Sequence, residues 1–210
     1  MLTIKNNLYP INFHLLSISL LLLQSCQKED KRLDDYWVNF ATVIKSNNDV
    51  RFHLDNNKTL IPKKLKDYNG DSGQRVILNY SFLRNDTIKV NSVSNILTGN
   101  IKLNGYPEQY FSEPVNIQSV WVSGNYLNMV LEIEYNKTAH SVALLKKSST
   151  TKNELYFSHA TNNDPPGAPV LMYLSFSLEN LRVSGNESPL QFTVYINSHT
   201  GLKEFHLTLK

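Results

Sequence analysis

The sequence predicts an all-β protein, built as a small closed barrel that is followed by an antiparallel β-sandwich. Apolar and polar residues alternate in many short runs, which is the period of a strand with one buried face. Turn-forming residues separate these runs along the chain. No stretch of helical length keeps the period of an amphipathic helix. These three observations together indicate the all-β class.

Before the strands, the chain carries an apolar run that is too short to span a membrane. Residues 15–23 are leucine and isoleucine interrupted by two serines, and the polar segment before them contains Lys5. A membrane-spanning helix needs about 20 apolar residues, whereas a run of this length is typical of a secretory signal. The sequence therefore predicts a signal peptide over residues 1–25.

The single cysteine of the chain, Cys26, directly follows this leader. The preceding Leu23-Gln24-Ser25 resembles the bacterial lipobox, in which the cysteine thiol receives diacylglycerol and the leader is cleaved just before it. The alternative is a soluble secreted protein with an unpaired thiol, but the spacing and the apolar run favour lipidation. Lipidation would place acyl chains such as palmitate on Cys26. Stable membrane anchoring takes more than one such chain, so these chains together would anchor the protein.

A short charged tether follows over residues 26–33. Its run Gln27-Lys28-Glu29-Asp30 resembles the acidic export signal that sends lipoproteins of Bacteroidota to the outer face of the outer membrane. The alternative is a plain solvated tether, because charge runs often serve only that purpose. The expectation is an outer-membrane lipoprotein that faces the cell exterior.

Five strands between residues 34 and 98 predict the barrel. The first, over residues 36–44, is long, and the fourth, over residues 75–83, alternates clearly between apolar and polar positions. The other three lie near residues 51–54, 59–61 and 88–90. A closed barrel suits strands of this kind, because closure removes the edges that would otherwise pair with other chains.

The second domain is predicted over residues 114–210, after a linker. Residues 99–113 contain glycines and prolines and show little alternation, which indicates the linker. About seven strands with one apolar face follow, the clearest being residues 126–135 and the closing hairpin of residues 192–209. Such strands usually pack as two antiparallel sheets.

Several segments, taken in order, resemble the NigD-like lipoprotein family of Bacteroidota. They are Asp34-Asp35-Tyr36-Trp37-Val38 with Ala41-Thr42-Val43, Gly73-Gln74-Arg75-Val76, Ile88-Lys89-Val90-Asn91 with Ile96-Leu97-Thr98, Val120-Trp121-Val122 with Tyr126-Leu127-Asn128, and Phe157-Ser158-His159-Ala160 with Asn163-Asp164-Pro165. The resemblance implies an OB-type domain over residues 34–98, a C-terminal β-sandwich and a lipidated N-terminus. The family takes its name from a bacteriocin operon, which implies an immunity role. It offers no catalytic residues to carry over.

The mild charge of the chain argues against a nucleic-acid partner. The formal net charge is +3, far from the concentrated basic stripe that a polyanion would require. An OB-type barrel binds single strands through aromatic residues interleaved with cations. The candidates for such a surface are Tyr36, Trp37, Phe52, Tyr80, Lys63, Lys64, Lys66 and Arg75. Most of these aromatic residues are expected in the barrel core instead.

No metal, cofactor or catalytic site is predicted. The histidines beyond the leader are His53, His140, His159, His199 and His206, and none forms an HxxxH or HxH motif. Ser158 and His159 are adjacent, but neighbours on a strand point to opposite faces and would not meet. A catalytic triad is a spatial arrangement, so hydrolysis remains a third hypothesis.

The segment from His159 to Gly167 carries two hypotheses. Asn162, Asn163 and Asp164 can bond to their own backbone, and two prolines restrict the path of the chain. The segment is therefore either a rigid connection or a ligand-facing loop that includes His159, Asn162, Asn163 and Asp164.

The expected function is non-enzymatic and located at the cell envelope. The protein is attached to the membrane through its acyl chains, and it acts as a surface binding or protective module that contacts a protein or a glycan. The alternative is a structural accessory subunit of an outer-membrane complex. In addition, Asp86-Thr87-Ile88 is similar to the O-glycosylation pattern of this phylum, with Thr87 as the acceptor.

Overall fold

The computed structural model describes residues 35–46, 49–65, 68–147, 153–182 and 189–210. The predicted signal peptide, the predicted lipidation site Cys26 and the predicted export signal lie outside the described residues. From Asp35 onward the chain forms one compact unit. Within the described ranges, no helix is both long enough and apolar enough to cross a membrane.

The N-terminal part is a closed barrel of five strands in the order β1-β2-β3-β5-β4. The strands are β1 (Trp37–Ser46), β2 (Asp49–Leu54), β3 (Thr59–Pro62), β4 (Arg75–Arg84) and β5 (Thr87–Asn95). Neighbouring strands are antiparallel, except that β3 and β5 run parallel. Because β1 also pairs with β4, each long strand has a partner on both sides. The predicted barrel is confirmed.

Alternate residues of these strands point inward and form the barrel core. Phe52, Leu60 and Leu78 are fully buried, and each such side chain stabilises the fold by about 1.5–3 kcal/mol. Tyr80 is also buried, and its hydroxyl donates to Asn39 Oδ1 at 3.0 Å. The polar atom of this core tyrosine therefore has a partner, as buried tyrosine hydroxyls usually do.

The C-terminal part is a β-sandwich formed from one eight-stranded sheet in the order β13-β12-β10-β9-β6-β11-β8-β7. The strands are β6 (Leu97–Lys102), β7 (Asn116–Ser123), β8 (Tyr126–Tyr135), β9 (Ser141–Lys146), β10 (Glu154–Ala160), β11 (Ala168–Ser177), β12 (Leu190–Ser198) and β13 (Gly201–Leu209). Most pairs are antiparallel, and the exceptions are β10 with β12, β6 with β9 and β6 with β11. The predicted all-β class with a sandwich after the barrel is confirmed.

Strand β6 lies in a region where the sequence predicts little structure. A single residue, Ile96, separates it from the barrel, and its last residues fall inside the predicted linker 99–113. The glycine that suggested a linker has a packing reason, because a Cβ at Gly99 would lie 2.9 Å from the Phe176 ring. The structure therefore corrects the start of the linker: residues 99–102 belong to a central strand of the sheet.

The sheet encloses a single apolar core. Leu127, Met129 and Leu131, which alternate along β8, are fully buried in it. Just before β7 begins, Val115 forms a parallel bridge to Ser198 at the end of β12, and β7 also contacts β13, the other end strand. The sheet thus curls almost into a closed structure, which shields the edges of β7 and β13 from pairing with other chains.

Candidate functional site

A buried arginine, Arg75, joins the barrel to the sandwich. Its side chain is fully buried at the start of β4. On the barrel side its guanidinium forms a bidentate pair with Asp55, at 2.5 and 2.9 Å, and donates to Thr42 Oγ1 at 3.2 Å. On the sandwich side, Nε donates to Ser175 Oγ at 3.0 Å and Nη2 donates to Asn128 Oδ1 at 3.2 Å. We call these five residues the Arg75 network.

The Arg75 network depends on the planar shape of the guanidinium. The Tyr126 ring covers this group, with Cζ of Arg75 4.0 Å from the ring centroid. Bidentate pairing combined with stacking on an aromatic ring is specific to arginine, because a lysine ammonium is a point charge. Ser175 Oγ also donates to Asn128 Oδ1 at 2.8 Å, which fixes the amide oxygen toward the network. The network therefore holds the two domains in one relative position.

Aromatic packing extends this interface beside the Arg75 network. Phe40 of β1 meets the Trp121 ring of β7 edge to face, with centroids 5.1 Å apart. Phe40 also contacts Tyr173 of β11 in the same manner, at 6.4 Å. Aromatic pairs of this geometry stabilise by about 0.5–1.5 kcal/mol beyond the area that they bury. Both polar and apolar contacts thus fix the barrel on the sandwich.

A cleft of about 600 Å³ lies where the two domains meet. Its barrel wall includes Ile44 and His53, and its sandwich wall includes Asn125, Glu179 and Lys210. Ile44, Asn125, Glu179 and Lys210 are exposed, so their side chains are available to a partner. The lining combines apolar side chains with carboxylates, amides, an ammonium group and an imidazole. Such a mixture suits non-covalent recognition of a polar molecule with some apolar surface.

The turn between β7 and β8 builds one wall of the cleft. Gly124 has a φ of +54°, and its backbone lies next to Asp55 of the Arg75 network. A Cβ at this position would lie 3.5 Å from the Asp55 carbonyl oxygen. The turn between β7 and β8 therefore forms part of the candidate site, and Asn125 of this turn also lines the cleft.

A second cluster of polar groups lies at the predicted loop that begins with His159. The His159 side chain is buried, and its Nδ1 donates to the carbonyl oxygen of Glu113 at 3.1 Å. Its Nε2 must then accept, so His140 Nδ1 donates to it across 2.9 Å. Burial lowers the pKa of His159, and the nearby His140 lowers it further, against the opposing effect of the Glu113 carbonyl and carboxylate.

Asp164 holds the neighbouring turn in place. Its carboxylate accepts hydrogen bonds from the backbone N–H groups of Asn136, Lys137 and Thr138, at 2.8, 3.1 and 2.8 Å. Desolvation pushes the pKa of Asp164 upward, but these hydrogen bonds outweigh it and hold the pKa well below its ordinary value. His140 Nε2 lies 3.5 Å from Asp164 Oδ2. The carboxylate oxygens thus stabilise the turn between β8 and β9 through these hydrogen bonds.

These contacts correct the ligand-facing prediction for two of its four residues. His159 and Asp164 point into the protein, where their polar atoms are used by the loop itself. Asn162 and Asn163 are exposed, and both have positive φ values, of 55° and 62°. Asn162 also donates to the Ala139 carbonyl oxygen at 2.7 Å. A ligand-facing role remains a prediction for Asn162 and Asn163.

Ser158 and His159 serve separate structural contacts. Ser158 Oγ accepts from the Phe111 backbone N–H at 2.8 Å and donates to the Gln109 carbonyl oxygen at 3.1 Å. Its hydroxyl is thus engaged with the backbone, apart from the imidazole of its neighbour. Across the described parts of the chain, no group of three or more His, Cys, Asp or Glu side chains is placed to hold a metal ion.

The residues considered for a nucleic-acid surface differ in their exposure to solvent. Arg75, Phe52 and Tyr80 are buried, so they cannot contact an external strand. Tyr36 and Trp37 are exposed at the start of β1. Lys66 lies outside the described residues. A continuous surface of alternating cations and aromatic rings is therefore not formed by the predicted set.

Thr87, the predicted glycosylation acceptor, is the first residue of β5. It is partly exposed, and the next residue, Ile88, is fully buried in the barrel core. Asp86 precedes it in the exposed turn between β4 and β5. The position is thus at the surface end of a strand, and modification of Thr87 remains a prediction.

The domain models of one family match both parts of the chain. Residues 40–96 match the NigD-like N-terminal OB domain, and residues 101–209 match the NigD-like C-terminal beta sandwich domain. The second match alone covers more than half of the chain. The resemblance predicted from the sequence is thereby confirmed.

Solved structures from Parabacteroides and Bacteroides species share the fold. A protein from Parabacteroides distasonis, provisionally named as toxin related, is 26% identical, with a TM-score of 0.74 over 84% of this chain and 94% of its own. A NigD-like immunity protein from Bacteroides caccae is 22% identical, with a TM-score of 0.66 over 81% and 90%. A protein from Bacteroides fragilis, provisionally named as a lipoprotein, is 13% identical, with a TM-score of 0.64 over 84% and 98%. No curated protein matches the chain.

Proposed function

This chain belongs to the NigD-like family, and on that basis we propose that it is a non-enzymatic, lipid-anchored protein of the cell envelope that binds a protein or glycan partner. The cleft between barrel and sandwich is the proposed binding surface. An immunity-type role, in which the partner is a bacteriocin, is the specific form that the family name suggests.

The observation that carries the proposal is that the cleft lies between two domains held in one relative position. Arg75 holds both walls of the cleft through hydrogen bonds to the two domains. A preformed cleft requires little reorganisation on binding, so a partner loses less free energy to ordering. The rim places the Glu179 carboxylate and the Lys210 ammonium group where they can select a partner of complementary charge.

The anchoring part of the proposal rests on the sequence around Cys26. This residue follows the Leu23-Gln24-Ser25 motif and is the only thiol in the chain, so lipidation would leave no free thiol. The acidic run after it supports export to the outer membrane with the body facing the exterior. Treating intact cells with protease tests this orientation: degradation only after lysis would contradict it.

Crosslinking in living cells tests the cleft. A photoreactive amino acid replaces Asn125 at the cleft rim, and the control variant carries it at Gln191, an exposed position on β12. Capture of one soluble partner from position 125 and not from position 191 supports recognition by the cleft. Capture of the same membrane complex from both positions supports the structural accessory role instead.

A growth assay tests the immunity form of the proposal. The deletion strain is exposed to the bacteriocin-containing supernatants of neighbouring strains, and complementation uses the wild-type chain or a Glu179→Arg variant. Restoration by the wild-type chain and not by the variant is expected. A deletion strain that is as resistant as its parent to every supernatant would exclude immunity, while leaving recognition of another partner to the crosslinking test.

A further inference from the structure

Large apolar side chains are exposed on two paired barrel strands, near the point where the described chain begins. Tyr36, Trp37 and Val38 are 62%, 55% and 52% exposed, and they are consecutive. Phe82 and Leu83, at the end of β4, are 45% and 49% exposed. We call the Trp37 and Phe82 rings, which contact each other, the aromatic patch.

The pairing of β1 with β4 brings Trp37 and Phe82 to the same face, whereas their strand neighbours Val38 and Leu83 point to the opposite face. Trp37 lies opposite Tyr80 in the ladder, so Phe82 is the next residue on the same face. The Trp37 and Phe82 rings meet edge to face at 6.4 Å, and Phe82 contacts Tyr80 at 5.3 Å. The exposed rings therefore continue the barrel core outward into solvent. A contiguous apolar patch of this kind commonly marks an interaction surface.

The position of the patch in the chain indicates what covers it. Only nine peptide units separate Cys26 from Asp35, which corresponds to a reach of about 30 Å for a fully extended chain. If Cys26 carries acyl chains, the patch is always held within that distance of the bilayer. A short tether gives an effective concentration of about the millimolar range, so weak affinity for lipid is sufficient.

We propose that the aromatic patch docks on the surface of the membrane that holds the acylated Cys26, and thereby orients the barrel toward the bilayer. The inference rests on the proposed lipid anchoring. Tyrosine and tryptophan rings favour the membrane interface, because their apolar bodies and polar atoms match the two sides of that boundary. The exposed Arg84, directly after Leu83, is positioned to contact lipid phosphate groups.

Trp37 fluorescence tests the docking. A Trp121→Phe background leaves Trp37 as the single tryptophan of the chain. The mature chain from Cys26 is coupled through its single thiol to maleimide lipid in vesicles of phosphatidylethanolamine and phosphatidylglycerol, so the test does not require native acylation. Quenching of Trp37 by brominated lipid and protection from aqueous iodide are expected. Quenching by iodide alone, with the protein still attached to vesicles, would overturn the proposal.

Two variants of equal side-chain exposure provide the matched comparison. Phe82→Ser removes a patch ring that is 45% exposed, and Leu171→Ser alters a 45% exposed side chain on the sandwich strand β11. Phe82→Ser should lower the docking equilibrium about three- to ten-fold, in line with the loss of roughly half of a buried phenylalanine. Leu171→Ser should leave it unchanged, and equal losses in both variants would contradict the patch.

Two further measurements separate the outcomes. Hydrogen exchange of residues 36–38 in the unmutated chain should slow on vesicles, and no slowing would count against docking without relying on any variant. Iodide protection that grows with protein concentration in the absence of vesicles would assign the patch to a second copy of the chain and overturn the proposal. The intact mass of the protein purified from its native envelope tests acylation separately. A mass without acyl chains would refute the proposed lipid anchoring, whatever the vesicle experiment shows.

Discussion

Replacing Arg75 by methionine should destabilise the protein more than any surface substitution. The guanidinium is fully buried and makes five hydrogen bonds, two of them to Asp55. Methionine fills part of the space but leaves the Asp55 carboxylate, only 9% exposed, without its cation. Breaking a buried pair in this way costs about 3–5 kcal/mol. This is a large fraction of the roughly 5–15 kcal/mol by which folded domains are stable.

Urea unfolding, followed by tryptophan fluorescence, measures this free energy. Trp121 is a suitable reporter because it packs on Phe40 across the domain interface. The matched control is Arg51→Met on β2, where the arginine is exposed and the expected change is within about 0.5 kcal/mol. A cost below about 1 kcal/mol for Arg75→Met would refute the role assigned to the buried pair.

The double variant Arg75→Met with Asp55→Leu identifies the source of the cost. If the unpaired carboxylate dominates, removing it should recover much of the stability, because apolar replacement of both partners of a buried pair is often close to neutral. A double variant as unstable as Arg75→Met would instead assign the cost to lost packing and to the orphaned hydrogen-bond partners on the sandwich. Either result distinguishes the cost of the unpaired charge from the cost of lost packing and hydrogen bonds at this interface.

Three further predictions concern the sandwich loops and the barrel turn. Gly167→Ala should cost about 1–3 kcal/mol in urea unfolding, because a Cβ there would lie 2.1 Å from the Tyr135 carbonyl oxygen. Since burial lowers the pKa of His159, the unfolded chain binds more protons below pH of about 6.5, so this contribution to stability is present above that pH and is lost as the pH falls. His159→Gln should flatten this part of the stability–pH curve, and an unchanged slope would count against it. For Thr87→Ala, protein purified from its native source should lose the mass of the glycan; a difference of only the residue mass would reject glycosylation.

The positions of many strands could be predicted from the sequence, because apolar and polar residues alternate wherever one face of a strand is buried. The fourth barrel strand shows this well: Val76, Leu78 and Tyr80 are buried as their spacing predicts. Strand β6 was missed for a physical reason. In the sequence, Gly99 suggests an irregular connection between domains. In the structure, it leaves room for the Phe176 ring.

The candidate site could be predicted far less well. Arg75 was considered as an external cation, because nothing local in a sequence distinguishes a surface arginine from a buried one. Its burial depends on Asp55, Asn128 and Ser175, which come from three separate places in the chain. The same holds for His140 and His159. His140 Nδ1 lies 2.9 Å from His159 Nε2, although the two residues form no recognisable sequence motif. Contacts of this kind follow from the tertiary arrangement alone.

The central position of β6 has a consequence for how this protein is made. On the proposed export route the N-terminus emerges first, so β6 leaves the export channel before both of its partners, and Leu97 stays unpaired until Leu174 on β11 follows. Until then the strand presents two free edges, which are the features that most readily recruit other chains. Long-range pairing of this type also slows folding. On that route, factors that hold unfolded chains should matter more for the sandwich than for the barrel, whose strands all pair within the first segment to arrive.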